Sequence, residues 1–169
     1  MVIYLNFDGV LHPDHVMYGE GCTPSVVTTG HAALEHVGLL AELLEPYSEI
    51  QIVLNTWWTF YLGLDACVEM LPPPLANRVD DATIGYASSY NSPPCRAIEM
   101  ERHIARHRQG CFIILDHNNA RYRPELLPHL LLLDPNDGLG ALAARRSVAR
   151  RLMRITLNGP VNLRSNAYL

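Results

Sequence analysis

The chain contains no lysine. All 13 of its basic residues are arginine, so any step that needs a cationic side chain falls to Arg or His. Long apolar runs are missing too: runs such as Cys111 to Leu115 and Leu130 to Leu133 reach at most five residues, far short of the roughly 20 residues a membrane span requires. No basic segment followed by an extended apolar stretch opens the sequence, which argues against a secretory signal and makes a cytoplasmic location the expectation. Cys22, Cys67, Cys95 and Cys111 form no Cys-x-x-Cys pair and have no matching His spacing. That pattern suggests neither a zinc site nor a disulfide framework, and free structural thiols are expected. Acid is absent from Gly138 onward, where six arginines stand, so all 17 acidic residues lie before it. Such asymmetry fits an anionic partner or a compositional bias toward arginine.

What is present suits one compact domain over residues 1–169, since 49% of the chain is hydrophobic. Four apolar runs read as short buried strands, Val2 to Leu5, Ile50 to Leu54, Cys111 to Leu115 and His129 to Leu133, each followed by a polar residue. Helical spacing marks His31 to Leu44, stopped by Pro46, then Pro93 to Arg108 with Gly110 as its cap, and Leu139 to Ile155. Alternating strands and helices imply an α/β fold with a mostly parallel sheet covered on both faces. Pro13 to Thr29 and Leu71 to Pro94 read as irregular, and are too short to build more than a small lid.

The most informative stretch is Val2-Ile3-Tyr4-Leu5-Asn6-Phe7-Asp8-Gly9-Val10-Leu11. Strand geometry sends Asn6 and Asp8 to the same side, at the carboxyl end of a parallel strand where α/β sheets bind ligands. This run resembles the first motif of the haloacid dehalogenase (HAD) superfamily, Asp-x-Asp-Gly-(Val/Thr)-(Leu/Val), with Asn6 in place of the nucleophilic aspartate. Further stretches resemble the later motifs in chain order. Leu54-Asn55-Thr56 matches the strand-ending hydroxyl motif, with Asn55 and Thr56 both open as the phosphate-contacting residue. Arg96 matches the cation, and Leu115-Asp116-His117 the acidic motif, with His117 where a second acid is frequent. Leu133-Asp134-Pro135-Asn136-Asp137-Gly138-Leu139 resembles the turn before the last helix in the HAD domains of Swiss army knife RNA-repair proteins.

The resemblance implies a HAD-like Rossmannoid three-layer sandwich, capless or with a minimal cap, acting on phosphate esters. It also implies a Mg2+ ion held by residue 6, Asp8 and Asp116, with Asp8 as general acid and base and Thr56 and Arg96 holding phosphate oxygens. A carboxamide has no ionised oxygen with which to attack phosphorus. Asn6 therefore makes the domain an inactive phosphohydrolase, by nature or as an engineered trap, or else a non-catalytic module binding phosphate, nucleic acid or protein. The expected partner is a phosphate-bearing substrate or ligand such as a nucleic-acid end, with no membrane partner.

Weaker candidates carry plain readings. Glu99, His103 and His107 share a helical face that reads as solvated. Trp57, Trp58, Phe60 and Tyr61 suit packing more than base stacking, and Arg146, Arg150 and Arg154 form a basic stripe typical of a solvated helix.

Overall fold

Period-two burial builds the centre of the molecule. In β1 (Val2–Leu5) all four residues are buried, which requires cover on both faces. Ile3 and Leu5 point to one face. There they meet Ile52 and Leu54 of β4 (Gln51–Leu54), Ile113 and Leu115 of β6 (Phe112–Asp116), and residues of α1 (Val37–Leu44) and α6 (Leu142–Asn158). Val2 and Tyr4 point the other way, packing with Val53, Phe112, Ile114 and Met100 of α5 (Arg96–His107). Burying each such aliphatic side chain contributes about 1.5–3 kcal/mol.

The computed structural model describes residues 1–19, 23–90, 92–118 and 121–158. Cys22, Asn119 and Arg164 lie outside the described residues. The sheet has five strands, all paired in parallel, in the order β5-β4-β1-β6-β7, where β5 is Val79–Ala82 and β7 is Leu130–Leu132. With helices on both faces, this is the three-layer α/β sandwich expected from the sequence. A two-residue hairpin, β2 (Val16–Met17) with β3 (Ser25–Val26), forms a minimal cap between β1 and α1. Among the described residues, no helix is long and apolar enough to cross a membrane.

Several local expectations need correction. The segment read as irregular from Leu71 holds α4 (Pro73–Ala76) and edge strand β5, whose Val-Asp-Asp-Ala sequence lacks an apolar run. Ahead of it, α2 (Trp58–Leu62) and α3 (Leu64–Glu69) are too short to show a period. Helix α1 begins at Val37 rather than His31, because buried Leu34 adopts a positive φ of 59° that breaks the helix. Helix α5 is closed by Arg108 in the left-handed conformation, with Gln109 N–H donating to Ile104 O at 3.1 Å, and not by Gly110. Its Glu99 and His103 are buried, at 4% and 1% exposure, where a solvated face was expected. The Tyr4 hydroxyl, 2.8 Å from His103 Nδ1, supplies a long-range partner that helical spacing cannot reveal.

The arginine stripe is as plain as it reads: Arg146, Arg150 and Arg154 are exposed. Cys67, Cys95 and Cys111 are free thiols, and burial pushes the Cys67 thiol up to about 12.

Candidate functional site

Parallel register brings three polar residues level. Leu5 pairs with Leu54 on one side and Leu115 on the other, so Asn6, Asn55 and Asp116 follow at the same height on adjacent strands. Backbone bonds continue the ladder past the strand ends, from Asn6 N to Leu115 O at 3.1 Å and from Asn55 N to Leu5 O at 2.8 Å. All three side chains are at most 1% exposed.

The orientation of Asn6 is set by its own loop. Its Oδ1 accepts from Phe7 N–H at 2.9 Å, so turning the amide over would set two donors against each other. Nδ2 therefore faces the strand ends, donating to Asp8 O at 2.8 Å and Asp116 Oδ1 at 3.1 Å. His117 Nδ1 also donates to Asp8 O, at 2.7 Å. Where the resemblance puts a cation among oxygens, this chain puts N–H groups between them.

Asp116 is the meeting point of the site. Oδ2 accepts from Arg96 Nη1 and from the Tyr122 hydroxyl, both at 2.7 Å. Oδ1 accepts from Asn6 and from the His117 backbone N–H at 2.8 Å. Its lone pairs are thus committed to neutral and cationic donors. With Asn6 offering only N–H inward, the residues present do not fit a hard cation, which requires oxygen ligands.

Asp8 contributes its backbone oxygen to this cluster while its carboxylate turns elsewhere. Oδ1 accepts from Trp58 Nε1 at 2.8 Å and His12 Nε2 at 3.2 Å, and Oδ2 from the Tyr18 hydroxyl. Leu34 N–H donates to His12 Nδ1 at 3.2 Å, which fixes the tautomer with the proton on Nε2. Burial alone would push the Asp8 carboxyl up, but the donors from His12, Tyr18 and Trp58 prevail and hold it below the ordinary carboxylate range. A group depressed in this way stabilises the fold above its unfolded pKa, and that stability is lost as pH falls through the folded value. Tyr18→Phe removes one donor. Acid unfolding followed by circular dichroism should accordingly move to higher pH in this variant, with little change in stability-versus-pH slope near neutrality.

The remaining candidates separate. Asn55 is spent inside the protein, donating to Tyr122 Oη at 3.2 Å and accepting from Thr83 Oγ1 at 2.9 Å. Thr56, 3% exposed, receives Trp58 N–H on its hydroxyl at 3.4 Å. Arg96 Nη1 also donates to Asn55 O at 3.0 Å, and its guanidinium lies 5.9 Å from the Trp57 ring. Gly9 has φ of 63°, and a Cβ there would fall 2.4 Å from the His117 Cβ, so only glycine admits this turn. Gly138 packs the acidic turn onto the same loop, with Leu139 N–H donating to Val10 O at 2.9 Å.

Beside Asp116 opens a cleft of about 210 Å3, lined by Trp57, Arg96, Asn118, Arg121 and Tyr122. One family model matches residues 2–144: the HAD domain in Swiss Army Knife RNA repair proteins. The chain belongs to this family. No curated protein and no solved structure matches it.

Within this HAD domain, Tyr18, Tyr122 and Arg121 escaped sequence reading. Tyr18 and Arg121 sit outside any motif, and Tyr122 reaches Asp116 from six residues on in a loop without a period. Trp58 carried a signal, being an aromatic residue four positions after a strand end, but it read as packing. In fact it does both, at 0% exposure with its Nε1 on Asp8.

Proposed function

We propose that this HAD domain binds the phosphate of a nucleic-acid end in the cleft beside Asp116 and does not hydrolyse it. The observation that carries the reading is the convergence of two arginines on the start of a helix. Arg96 and Arg121 line the cleft, and α5 begins there without a side-chain cap, which directs the positive end of its dipole and first-turn N–H groups toward an anion. Asp116 and Asn55 O occupy three of the five Arg96 N–H donors, and the rest suit phosphate oxygens. Arg121 is exposed and forms no ion pair with the described residues. Trp57, 37% exposed at the rim, offers a face for a terminal base.

Chemistry stops at Asn6, because the carboxamide provides neither a nucleophile nor the charge that a magnesium site draws on. Magnesium belongs with an acid at this position, where residue 6, Asp8 O and Asp116 would supply oxygen ligands. The binding claim is tested by titrating a short single-stranded RNA with and without a 5′-phosphate, at fixed salt. The phosphorylated strand should bind more tightly, and Arg121→Ala should reduce its affinity about 10-fold or more, the value of one charge-assisted contact. Equal affinity for both strands in the unaltered protein would remove the reading.

A further inference from the structure

A second cluster of chemistry-bearing side chains lies away from the strand ends, between α5 and edge strand β5. His103 and His107 are four apart on the helix, so they project from one face. Their rings stack with centroids 4.3 Å apart and planes inclined by 16°. Asp81 of β5 faces them, and one ligand atom from each of the three residues lies within 4.8 Å of the others. His103 is 1% exposed, yet its Nε2 has no hydrogen-bond partner among the described residues. That nitrogen lies 3.4 Å from Asp81 Oδ2.

We propose that Asp81, His103 and His107 form a binding site for a transition-metal ion of the Zn2+ type, clipping α5 to the sheet edge. Two imidazoles and one carboxylate select Zn2+, Co2+ or Ni2+ over magnesium. Tetrahedral ligands at zinc bond lengths stand about 3.3 Å apart, close to the spacing already present between His103 Nε2 and Asp81 Oδ2. The Tyr4 hydroxyl, 2.8 Å from His103 Nδ1, holds the ring by its other nitrogen, the usual arrangement behind a ligating histidine. The Tyr86 hydroxyl lies 3.0 Å from Asp81 Oδ2 and 2.5 Å from His107 Nε2. It stands at the fourth position, where it ligates or yields to water. Asp81 is partly exposed and His107 exposed, which gives an ion a route in.

The proposal is independent of the phosphate cleft. Untagged full chain, stripped with chelator, is titrated with Zn2+ by calorimetry and with Co2+ by visible absorption. One equivalent should bind, with Co2+ giving the intense bands of tetrahedral coordination. His107→Ala, at an exposed position, should weaken Zn2+ binding at least 10-fold and erase those bands. Asp81→Asn should act in the same direction. Absence of stoichiometric uptake by the unaltered protein, or wild-type affinity in both His107→Ala and Asp81→Asn, would overturn the site.

Discussion

Asn6→Asp is expected to create magnesium-dependent hydrolysis of an aryl phosphate in a protein that otherwise leaves the ester intact. The substitution exchanges the inward-facing Nδ2 for a carboxylate oxygen about as far from Asp116 Oδ1 as the present 3.1 Å. Two carboxylates at that distance repel, so without metal the variant should unfold at lower temperature than the parent, and magnesium should reverse the loss. The parent should show no such rescue. The new carboxylate also supplies the nucleophile that the attack on phosphorus requires. Phosphate release and thermal unfolding, each with and without magnesium, check both halves. An Asn6→Asp variant that folds, takes up magnesium and stays inert on a broad phosphate-ester panel would show that the site is built for holding phosphate rather than cleaving it.

Asp116→Ala is expected to be the most damaging single change at the site, costing about 3–5 kcal/mol in urea unfolding, the range for removing one partner of a buried ion pair. Its carboxylate, 1% exposed, is the shared acceptor for Arg96, Tyr122 and Asn6. Truncation leaves a guanidinium, a phenol and an amide N–H facing one another without an anion. Asp116→Asn retains a carbonyl oxygen and should cost less. Asp134→Ala is the control at another strand end. Its carboxylate only closes a turn, accepting from Asn136 N–H at 2.9 Å and Asp137 N–H at 3.2 Å, so its loss should fall near 1 kcal/mol. If Asp116→Ala proves no worse than Asp134→Ala, the carboxylate is not the anchor of this site.

How far the sequence is readable follows from where each signal is stored. The four strand runs and the level placement of Asn6 and Asp116 depend on local apolar density and on period-two geometry, both of which lie along the chain. Membership of the HAD family was legible for a similar reason, because Asn6-Phe7-Asp8-Gly9-Val10-Leu11 keeps the pattern at all but one group. What stayed hidden is relational. Nothing near Asn55 says that Tyr122 and Thr83 will consume its amide, and nothing near Asp8 says that Trp58, His12 and Tyr18 will turn its carboxylate away from Asn6. Likewise His103 looks like a surface residue on a helix until Tyr4, 99 positions earlier, is placed beneath it. Edge strand β5 escaped for an opposite reason: its Val-Asp-Asp-Ala sequence, with Asp80 and Asp81, shows no apolar run.

The strand order has a bearing on synthesis. β1 is synthesised before the other four strands of this sheet, yet it ends between β4 and β6. By the time Ala82 has been made, one wing of the sheet, β1 with β4 and β5, has all its strands, but the opposite flank of β1 stays unpaired until the chain reaches β6 at Phe112. During that interval a nascent chain carries an apolar open edge, Val-Ile-Tyr-Leu, of the kind that invites pairing with other chains. The same four residues that set up the site are thus the ones a chaperone would have most reason to shield.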